Sequence, residues 1–539
     1  MNISTVRKFS STPQGILIAA SIITYFGAAW LGLYIDDYSN LHGFITNGVP
    51  YYIDKPTFNR FPAFAFIVYP ILLYLPLAIS HIIIVVFHVL NCFLILSILE
   101  KMNIPKRYSF IVSALFLVWP IHYEALFWPV ASTIVFGSSF MLFGTHLCIQ
   151  RKYSSGILSI MISLLFSEGL FLPSIYLIAT TLLFCREPRW KLTFLSIPVI
   201  FYSVFQFARN YVNQGERTTQ YVPGLEAVPK NIFDLLVMTF TLGGSRDLSW
   251  LWDYGYEPVD VTQLLNPWFI LVATLVAGIV ARRADQFSAS IDDKKNVLSR
   301  YHYLVSFVGI VVSMSIYSLV SSNLMQPRYV YLSSLFFLVF VSFCLFWLEK
   351  KRRWQGFTNI IFISLLTMSI YRGWSNIWVN WYPAKVVSEL IIDDVRIIYE
   401  QTGITQIILV DEPRSVGNAY TMSHDWAYDA AGRMYVDPDV RIQSDALHSR
   451  QLFAYTELQE GQEFASTPCI FVSWRNKNLI ASYEAVSWNN RWVFDCRTGK
   501  VAQNLRPIQP EQALYSVNGS RVTLTQFYSS YLPEWVVNP

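Results

Sequence analysis

Ionisable side chains interrupt the apolar part of this sequence near the ends of its apolar runs, and their types could support a group-transfer reaction. A carboxylate beside a reaction centre can take a proton from an attacking hydroxyl group. A fixed arginine can hold a phosphate through two hydrogen bonds and stabilise the charge of a leaving group. Together these residue types indicate transfer from a phosphate-linked donor. The candidates are Asp36, Asp37, Arg60, His122, Glu124, Glu168, Arg246, Asp247, Arg328 and the adjacent Tyr329.

Each candidate taken alone also has a structural interpretation. The Asp36-Asp37 pair could begin a solvated loop, Glu168 could cap the helix that follows it, and Arg328 could extend toward a membrane interface. For His122, a structural pair with Glu124 is favoured over catalysis. Ionisable groups near hydrocarbon cost several kcal/mol each, so those that occur usually pair with one another or serve a site.

The chain that carries these residues has the composition of a polytopic membrane protein. Of its 539 residues, 53% are hydrophobic and 14% are charged, whereas a soluble protein carries about 25% charged residues. The net charge of +4 is too small and too scattered to suggest a nucleic-acid partner. The sequence also lacks a Gly-rich nucleotide cradle or P-loop, which fits a donor that is carried on a lipid.

Basic clusters between the apolar runs predict the membrane topology. Loops rich in lysine and arginine stay in the cytoplasm, so an even number of spans must separate consecutive clusters. The clusters are Arg7–Lys8, Lys101 with Lys106–Arg107, Arg151–Lys152, Arg186–Lys191, Arg282–Arg283 with Lys294–Lys295, and Lys350–Arg353. The apolar runs then predict about eleven spans, near residues 14–34, 79–99, 109–127, 130–149, 157–167, 170–184, 192–210, 267–281, 301–320, 329–348 and 357–377. The proline-rich segment 56–78 is predicted to be interfacial or re-entrant.

This topology predicts a multi-pass protein of the inner membrane with all the candidate residues on the outer side. Several coincidences on one face are harder to explain than one shared cavity, so we expect the candidates to line a cavity there. The fold class is mainly α, with a transmembrane module over residues 1–379 and a small extracytoplasmic α/β domain over residues 380–539. In that domain we predict an amphipathic helix at 385–401 and strands at 405–410, 469–474 and 491–494; Cys469 and Cys496 could pair in an oxidising compartment.

Four motifs in this order resemble the GT-C superfamily of membrane glycosyltransferases. Asp36-Asp37 resembles the acidic pair that follows the first span. "WPIHYEALFW" (119–128), "LLFSEGLFLP" (164–173) and "QPRYVYLSS" (326–334) resemble motifs of the branch that contains the O-mannosyltransferases with TPR repeats and their bacterial relatives. The resemblance covers roughly residues 14–377. This sequence departs from the family pattern at Ser167, at Gln326-Pro327 and at Ser333, and no TPR repeats follow.

The resemblance implies a role for each candidate residue. Asp36 would be the general base, and Asp37 would orient the base or the acceptor. Arg328 would contact a lipid-linked phosphate, with Arg60 and Arg246 as further contacts to the phosphate or glycan. The cavity would be lined by His122, Glu124, Glu168 and Tyr329. The donor would be a sugar on a polyprenyl phosphate in the lipid bilayer, and the acceptor a glycan, lipid or protein. Clustered carboxylates also suit a hard divalent cation, but family members work without one and no metal ligand is assigned.

Two other functions remain open from the sequence. A glycan polymerase or O-antigen ligase also has outward-facing arginines and a large outer loop, but it uses a diphosphate-linked glycan. The acidic pair directly after the first span favours the glycosyltransferase. A transporter or flippase would place broken helices near the middle of the membrane, often in two repeated halves, and the sequence shows no such repeat.

Overall fold

The computed structural model describes residues 12–48, 51, 62–184, 189–212, 227–240, 267–288, 300–315, 327–349, 355–403, 405–409, 415–416, 419–422 and 425–444, together with the strand segments 469–473, 486–488, 491–495, 515–517 and 520–522. These residues are mostly helical. The helices are α1 Pro13–Tyr25, α2 Asp36–Asn47, α3 Tyr69–Tyr74, α4 Leu77–Lys101, α5 Lys106–Val118, α6 Tyr123–Phe127, α7 Thr133–Ile149, α8 Tyr153–Leu164, α9 Phe171–Phe184, α10 Arg189–Val212, α11 Ala227–Phe240, α12 Pro267–Ser288, α13 Arg300–Ser315, α14 Tyr331–Glu349, α15 Gln355–Ser375, α16 Tyr382–Thr402 and α17 Asp425–Tyr435.

The chain divides into two compact units. One, here called the helical unit, contains the described residues within 12–30, 62–240 and 267–374. The other, here called the mixed unit, contains the described residues within 31–51 and from Ser375 onward. The Asp36-Asp37 pair therefore belongs to the same compact unit as the C-terminal strands, while the transmembrane candidates belong to the helical unit. The sequence-based boundary at 379/380 stays a prediction.

The helical unit contains the apolar helices that the sequence predicts. Every one of the eleven predicted spans overlaps a helix of the structure. Within the described residues, four helical stretches are long and apolar enough to cross a membrane, namely Pro13–Trp30, Leu77–Lys101, Pro129–Ile149 and Arg328–Glu349. A fifth would be Lys106–Val118 with Pro120–Phe127, which is bent by 44°, as expected for a break at a proline. The chain is thus a multi-pass membrane protein by length and composition, and the count of eleven spans stays a prediction.

Close helix approach in this unit depends on two glycines. A Cβ added to Gly144 of α7 would lie 2.5 Å from the carbonyl oxygen of Gly156 in α8, and one added to Gly156 would lie 2.8 Å from that of Gly144. Such distances leave no room for a side chain. Small residues allow helix backbones to approach in membrane proteins, so these two glycines set the spacing between α7 and α8.

A buried arginine joins other helices of this unit. Arg107, at the start of α5, forms ion pairs with Glu349 of α14 and, at 3.0 Å, with Asp285 of α12. It also donates a hydrogen bond of 2.5 Å to Asn359 of α15, and Tyr108 donates to Glu349. A charge this deeply buried requires such partners, so the network fixes four helix ends to one another.

The mixed unit is built on a five-stranded sheet of order β4-β1-β5-β7-β6. Its strands are β1 Gln406–Leu409, β4 Arg441–Ser444, β5 Cys469–Ser473, β6 Val486–Trp488 and β7 Arg491–Asp495. Two short antiparallel pairs lie outside this sheet: β2 Ser415–Val416 with β3 Ala419–Tyr420, and β8 Tyr515–Val517 with β9 Ser520–Val522. Strand β1 runs parallel to β4 and β5, and β7 runs antiparallel to β5 and β6. The predicted helix at 385–401 and the three predicted strands are confirmed by α16, β1, β5 and β7. The pairing of Cys469 with Cys496 stays a prediction.

Candidate functional site

The acidic pair opens helix α2 next to a strained residue. Ile35, directly before Asp36, has φ 36° and ψ −106°, a conformation that is rare for a β-branched side chain and costs roughly 1–3 kcal/mol. The turn is held by two hydrogen bonds: the Asp37 amide donates to the Tyr34 carbonyl at 2.9 Å, and the Tyr34 amide donates to Asp37 Oδ2 at 3.2 Å. Both carboxylates lie in the first helical turn, where the helix dipole favours negative charge.

The two carboxylates differ in exposure. Asp37 is fully buried, at 0% exposure, and its Oδ2 accepts the hydrogen bond that closes the turn. Asp36 is partly exposed, and its Oδ1 accepts a hydrogen bond of 2.9 Å from the indole N–H of Trp426 in α17. A general base must be within hydrogen-bond reach of the proton it removes. Of the pair, Asp36 has the accessible position, and Asp37 holds the turn in shape.

Tyrosines surround the pair within the mixed unit. The Tyr34 hydroxyl donates to the carbonyl of Trp381 at 2.9 Å, and the Tyr51 hydroxyl donates to the carbonyl of Ser39 at 3.2 Å. Burial, and then the negative charge of Asp36, raise the pKa of Tyr51 to about 12. The Tyr51 phenol therefore stays protonated at neutral pH and remains a hydrogen-bond donor.

In the helical unit, Glu124 of α6 fixes Arg328. One carboxylate oxygen accepts a hydrogen bond of 3.0 Å from the Arg328 backbone amide, and the other pairs with its guanidinium at 2.9 Å. The Glu124 side chain is 1% exposed and that of Arg328 is 23% exposed. The guanidinium carbon also lies 4.9 Å from the ring centroid of Trp128 and 5.1 Å from that of Tyr329, within the range of cation–π attraction. A buried anion and two rings thus orient an arginine that still reaches solvent.

A second polar network lies deeper among the same helices. His88 of α4 lies 2.9 Å through Nε2 from the carbonyl oxygen of Leu117, which makes Nε2 the protonated nitrogen, and Nδ1 accepts from the Tyr331 hydroxyl at 2.8 Å. The Asn91 amide in turn donates to that hydroxyl at 3.0 Å. His122 is fully buried and lies 2.7 Å through Nε2 from Ser334 Oγ. Buried networks of this kind rigidify their surroundings when their members are paired.

This network braces the segments that carry the ion pair. Tyr331 and Ser334 follow Arg328 within two helical turns, and His122 precedes Glu124 by two residues. The sequence paired His122 with Glu124, whereas their hydrogen bonds in the structure reach Ser334 and Arg328. A structural role for His122, the interpretation that the sequence favoured, fits its complete burial.

Three predicted site residues remain, namely Glu168, Arg60 and Arg246. Glu168 begins a 3-10 turn over Glu168–Leu170, and its side chain lies outside the described residues. Arg60 and Arg246 also lie outside the described residues. In the part of the chain that the structure describes, no group of three or more His, Cys, Asp or Glu side chains could hold a metal ion. The prediction that the candidates share one cavity stays a prediction.

Sequence reasoning missed His88 and Asn91. Both lie in the apolar helix α4 at i and i+3, a spacing that puts them on one helix face. A polar residue inside a membrane-spanning helix is a candidate functional residue by default, so the sequence alone could have identified both residues as candidates. Trp426 was missed for a different reason, because it lies 390 residues from Asp36 and no local pattern links them.

No protein-family model and no curated protein matches the chain. Two solved structures are similar to it. One is ArnT from Cupriavidus metallidurans bound to undecaprenyl phosphate, at 14% identity and a TM-score of 0.42, covering 92% of this chain and 98% of that one. The other is the apo state of the same ArnT, at 15% identity and a TM-score of 0.37, covering 89% of this chain and 97% of that one.

Proposed function

We propose that this chain is an integral membrane glycosyltransferase that moves a monosaccharide from a polyprenyl-phosphate donor to a cell-surface glycan or another hydroxyl-bearing acceptor at the outer face of the membrane. The observation that carries the proposal is the acidic pair after the first span, with Asp37 buried in the turn and Asp36 partly exposed beside it. Strained backbone such as that of Ile35 persists where the surrounding structure holds it, often at functional sites.

In this reaction Asp36 takes the proton of the acceptor hydroxyl. The acceptor oxygen attacks the anomeric carbon of the sugar, and the bond from that carbon to the phosphate oxygen breaks. The polyprenyl phosphate leaves with the electron pair of that bond, so a single displacement inverts the anomeric centre. Arg328, held by Glu124, stabilises the negative charge that develops on the phosphate.

The second candidate is a glycan polymerase or O-antigen ligase that uses a diphosphate-linked glycan. An arginine fixed by a buried carboxylate would serve that donor equally well. Both reactions need a base for the acceptor hydroxyl, and it is the position of the acidic pair directly after the first span that favours single-sugar transfer. A lipid or glycan transporter, the third reading, needs no base at all and would turn over without breaking a glycosidic bond.

The test is sugar transfer in proteoliposomes with the full-length protein. Asp36→Asn removes the base while it preserves the side-chain size, and we expect transfer from a polyprenyl-phosphate sugar to fall by about 10²–10⁴-fold. The matched control is Asp393→Asn, which makes the same change at an exposed aspartate of α16 paired with Arg396 and should leave transfer unchanged.

Undiminished transfer by the Asp36→Asn protein would exclude Asp36 as the base. Transfer only from a diphosphate-linked glycan would favour the polymerase or ligase. Movement of the lipid-linked sugar across the bilayer, without release of polyprenyl phosphate, would favour the transporter.

A further inference from the structure

An apolar cleft in the helical unit lies apart from all the residues assigned above. It is enclosed by α4, α7, α9, α13 and α14, with lining residues that include Ile95, Leu142, Leu177, Val305 and Leu335. The cleft holds about 620 Å³ including its open mouth. Because this figure includes open space at the mouth, the enclosed part has room for a segment of a chain rather than for a whole ligand.

The cleft offers water few hydrogen-bond partners. Its hydroxyl-bearing residues are Thr145, Thr180 and Ser306. Each hydroxyl donates to a backbone carbonyl of its own helix, at 2.9 Å, 2.8 Å and 2.9 Å respectively. A buried water needs two to four polar partners, and these groups have already used their protons. The helices that form the cleft are apolar, so the occupant that fits is a hydrocarbon chain.

One end of the cleft carries positive charge. Lys101 follows the lining residue Ile98 by three positions on α4, and His146 follows the lining residue Leu142 by four on α7. Such spacings put each polar residue one turn beyond a lining residue on the same helix face. The Lys101 ammonium lies 3.5 Å from His146 Nε2, so the two side chains meet at this end.

The basic side chains at this end outnumber the carboxylates there in the part of the chain that the structure describes. Within the described ranges, none of Lys101, Arg151 and Lys152 has an ion pair with a carboxylate. Helices α4 and α7 both end here, and each C-terminus contributes about −0.5 of an elementary charge. Those partial charges and the carboxylate of Glu100, which precedes Lys101, together amount to about −2, less than the three full positive charges, so the end of the cleft attracts an anion.

We propose that this cleft is a binding site for a glycerophospholipid with an anionic headgroup. A segment of one acyl chain lies in the apolar cleft, and the phosphate lies against Lys101 and His146. In the topology predicted from the sequence, Lys101 faces the cytoplasm, where anionic lipids concentrate and each nearby lysine contributes about 1 kcal/mol of attraction. The proposal concerns residues outside the proposed transfer reaction and does not require that reaction, although both proposals use the predicted topology.

The test counts lipids retained by the purified full-length protein in native mass spectrometry. The protein is first placed in nanodiscs of phosphatidylcholine with phosphatidylglycerol. We expect one phosphatidylglycerol retained in preference to phosphatidylcholine. Lys101→Gln should weaken that preference about fivefold, and Lys101→Arg should restore it. Lys191→Gln, which removes a lysine at the start of α10 that stacks on Trp190, should leave the preference unchanged.

A second set of variants tests the cleft itself. Ser306→Phe places a ring in the cleft and should reduce retention of phosphatidylglycerol, whereas Thr180→Val keeps the shape of the side chain and should not. Equal retention of the two lipids by the unaltered protein would overturn the proposal. So would an unchanged preference in Lys101→Gln or unchanged retention in Ser306→Phe.

Discussion

At the scale of single residues, the pairing of Glu124 with Arg328 explains how a cation can be kept in place beside apolar helices. The carboxylate is almost fully buried and binds both the backbone amide and the guanidinium of Arg328. A buried charge without its partner is strongly unfavourable, so each residue of the pair requires the other. The arginine is therefore oriented before any phosphate arrives, which lowers the entropy that binding must overcome.

Removal of the Glu124 charge should therefore lower the turnover that depends on Arg328 more than it lowers the stability of the fold. Glu124→Gln keeps the size of the side chain and one acceptor oxygen, but it leaves the guanidinium without a counter-charge. We expect turnover with a polyprenyl-phosphate donor to fall roughly 10- to 150-fold, because a charge-assisted hydrogen bond contributes about 1.5–3 kcal/mol. The measurement is the separation of kcat from the KM for the donor in proteoliposomes.

The control for this prediction is Glu389→Gln, the same change at an exposed glutamate of α16 paired with Lys385 at 3.7 Å. It should leave kcat and KM unchanged, because an exposed pair contributes about 0–1 kcal/mol. Equal turnover by Glu124→Gln and the unaltered protein would show that the pair does not position a functional arginine.

These contacts also show what a sequence can and cannot predict about a site. Asp36, Glu124 and Arg328 were identifiable because an ionisable residue beside an apolar run is rare and costly. Their partners were not identifiable, because Arg328 and Glu124 are separated by 204 positions and only the packed helices bring them together. The difference between Asp36 and Asp37 depends on burial, which adjacent positions with the same side chain cannot reveal.

At the scale of elements, the apolar runs predicted the helices well because a span must satisfy its backbone hydrogen bonds internally. The run from Leu77 to Lys101 can form little else. Helix α2 was missed, since Asp36–Asn47 is polar and carries no apolar run to mark it. The bend between Lys106–Val118 and Pro120–Phe127 follows from Pro120, but its angle depends on the helices packed around it.

The close contact of α7 with α8 gives a prediction at this scale. Gly144→Ala would place a methyl group 2.5 Å from the Gly156 carbonyl oxygen, so the helices must separate. Overpacking of this kind costs about 1–3 kcal/mol, and we expect a lower apparent Tm in a thermal-shift measurement in detergent. The matched control is Gly278→Ala in α12, where an added Cβ meets nothing within 4 Å. Because alanine is the better helix former, that control should keep or raise the Tm; an unchanged Tm in Gly144→Ala would contradict the prediction.

At the scale of the whole molecule, both proposals depend on the two sides of the membrane. The basic clusters predict that Lys101 and Lys152 face the cytoplasm, while Asp36 and Asp37 face outward. The transfer reaction requires the acidic pair on the outer side, and the lipid site requires Lys101 in the cytoplasmic leaflet. A reversal of the topology would therefore contradict both proposals at once. Failure of the sugar-transfer test alone would leave the lipid site unaffected, and failure of the lipid-retention test alone would leave the transfer reaction unaffected.

Cysteine labelling tests this arrangement directly. The six native cysteines are first replaced by serine, and a single cysteine is then introduced by Asn47→Cys at the exposed end of α2 or by Lys152→Cys in the exposed turn after α7. A membrane-impermeant maleimide should label the Asn47→Cys protein in intact cells, because the predicted topology puts this position on the outer side with the acidic pair. The Lys152→Cys protein should be labelled only after the membrane is permeabilised. The opposite result would place Asp36 on the cytoplasmic side, where it could not serve an acceptor at the outer face.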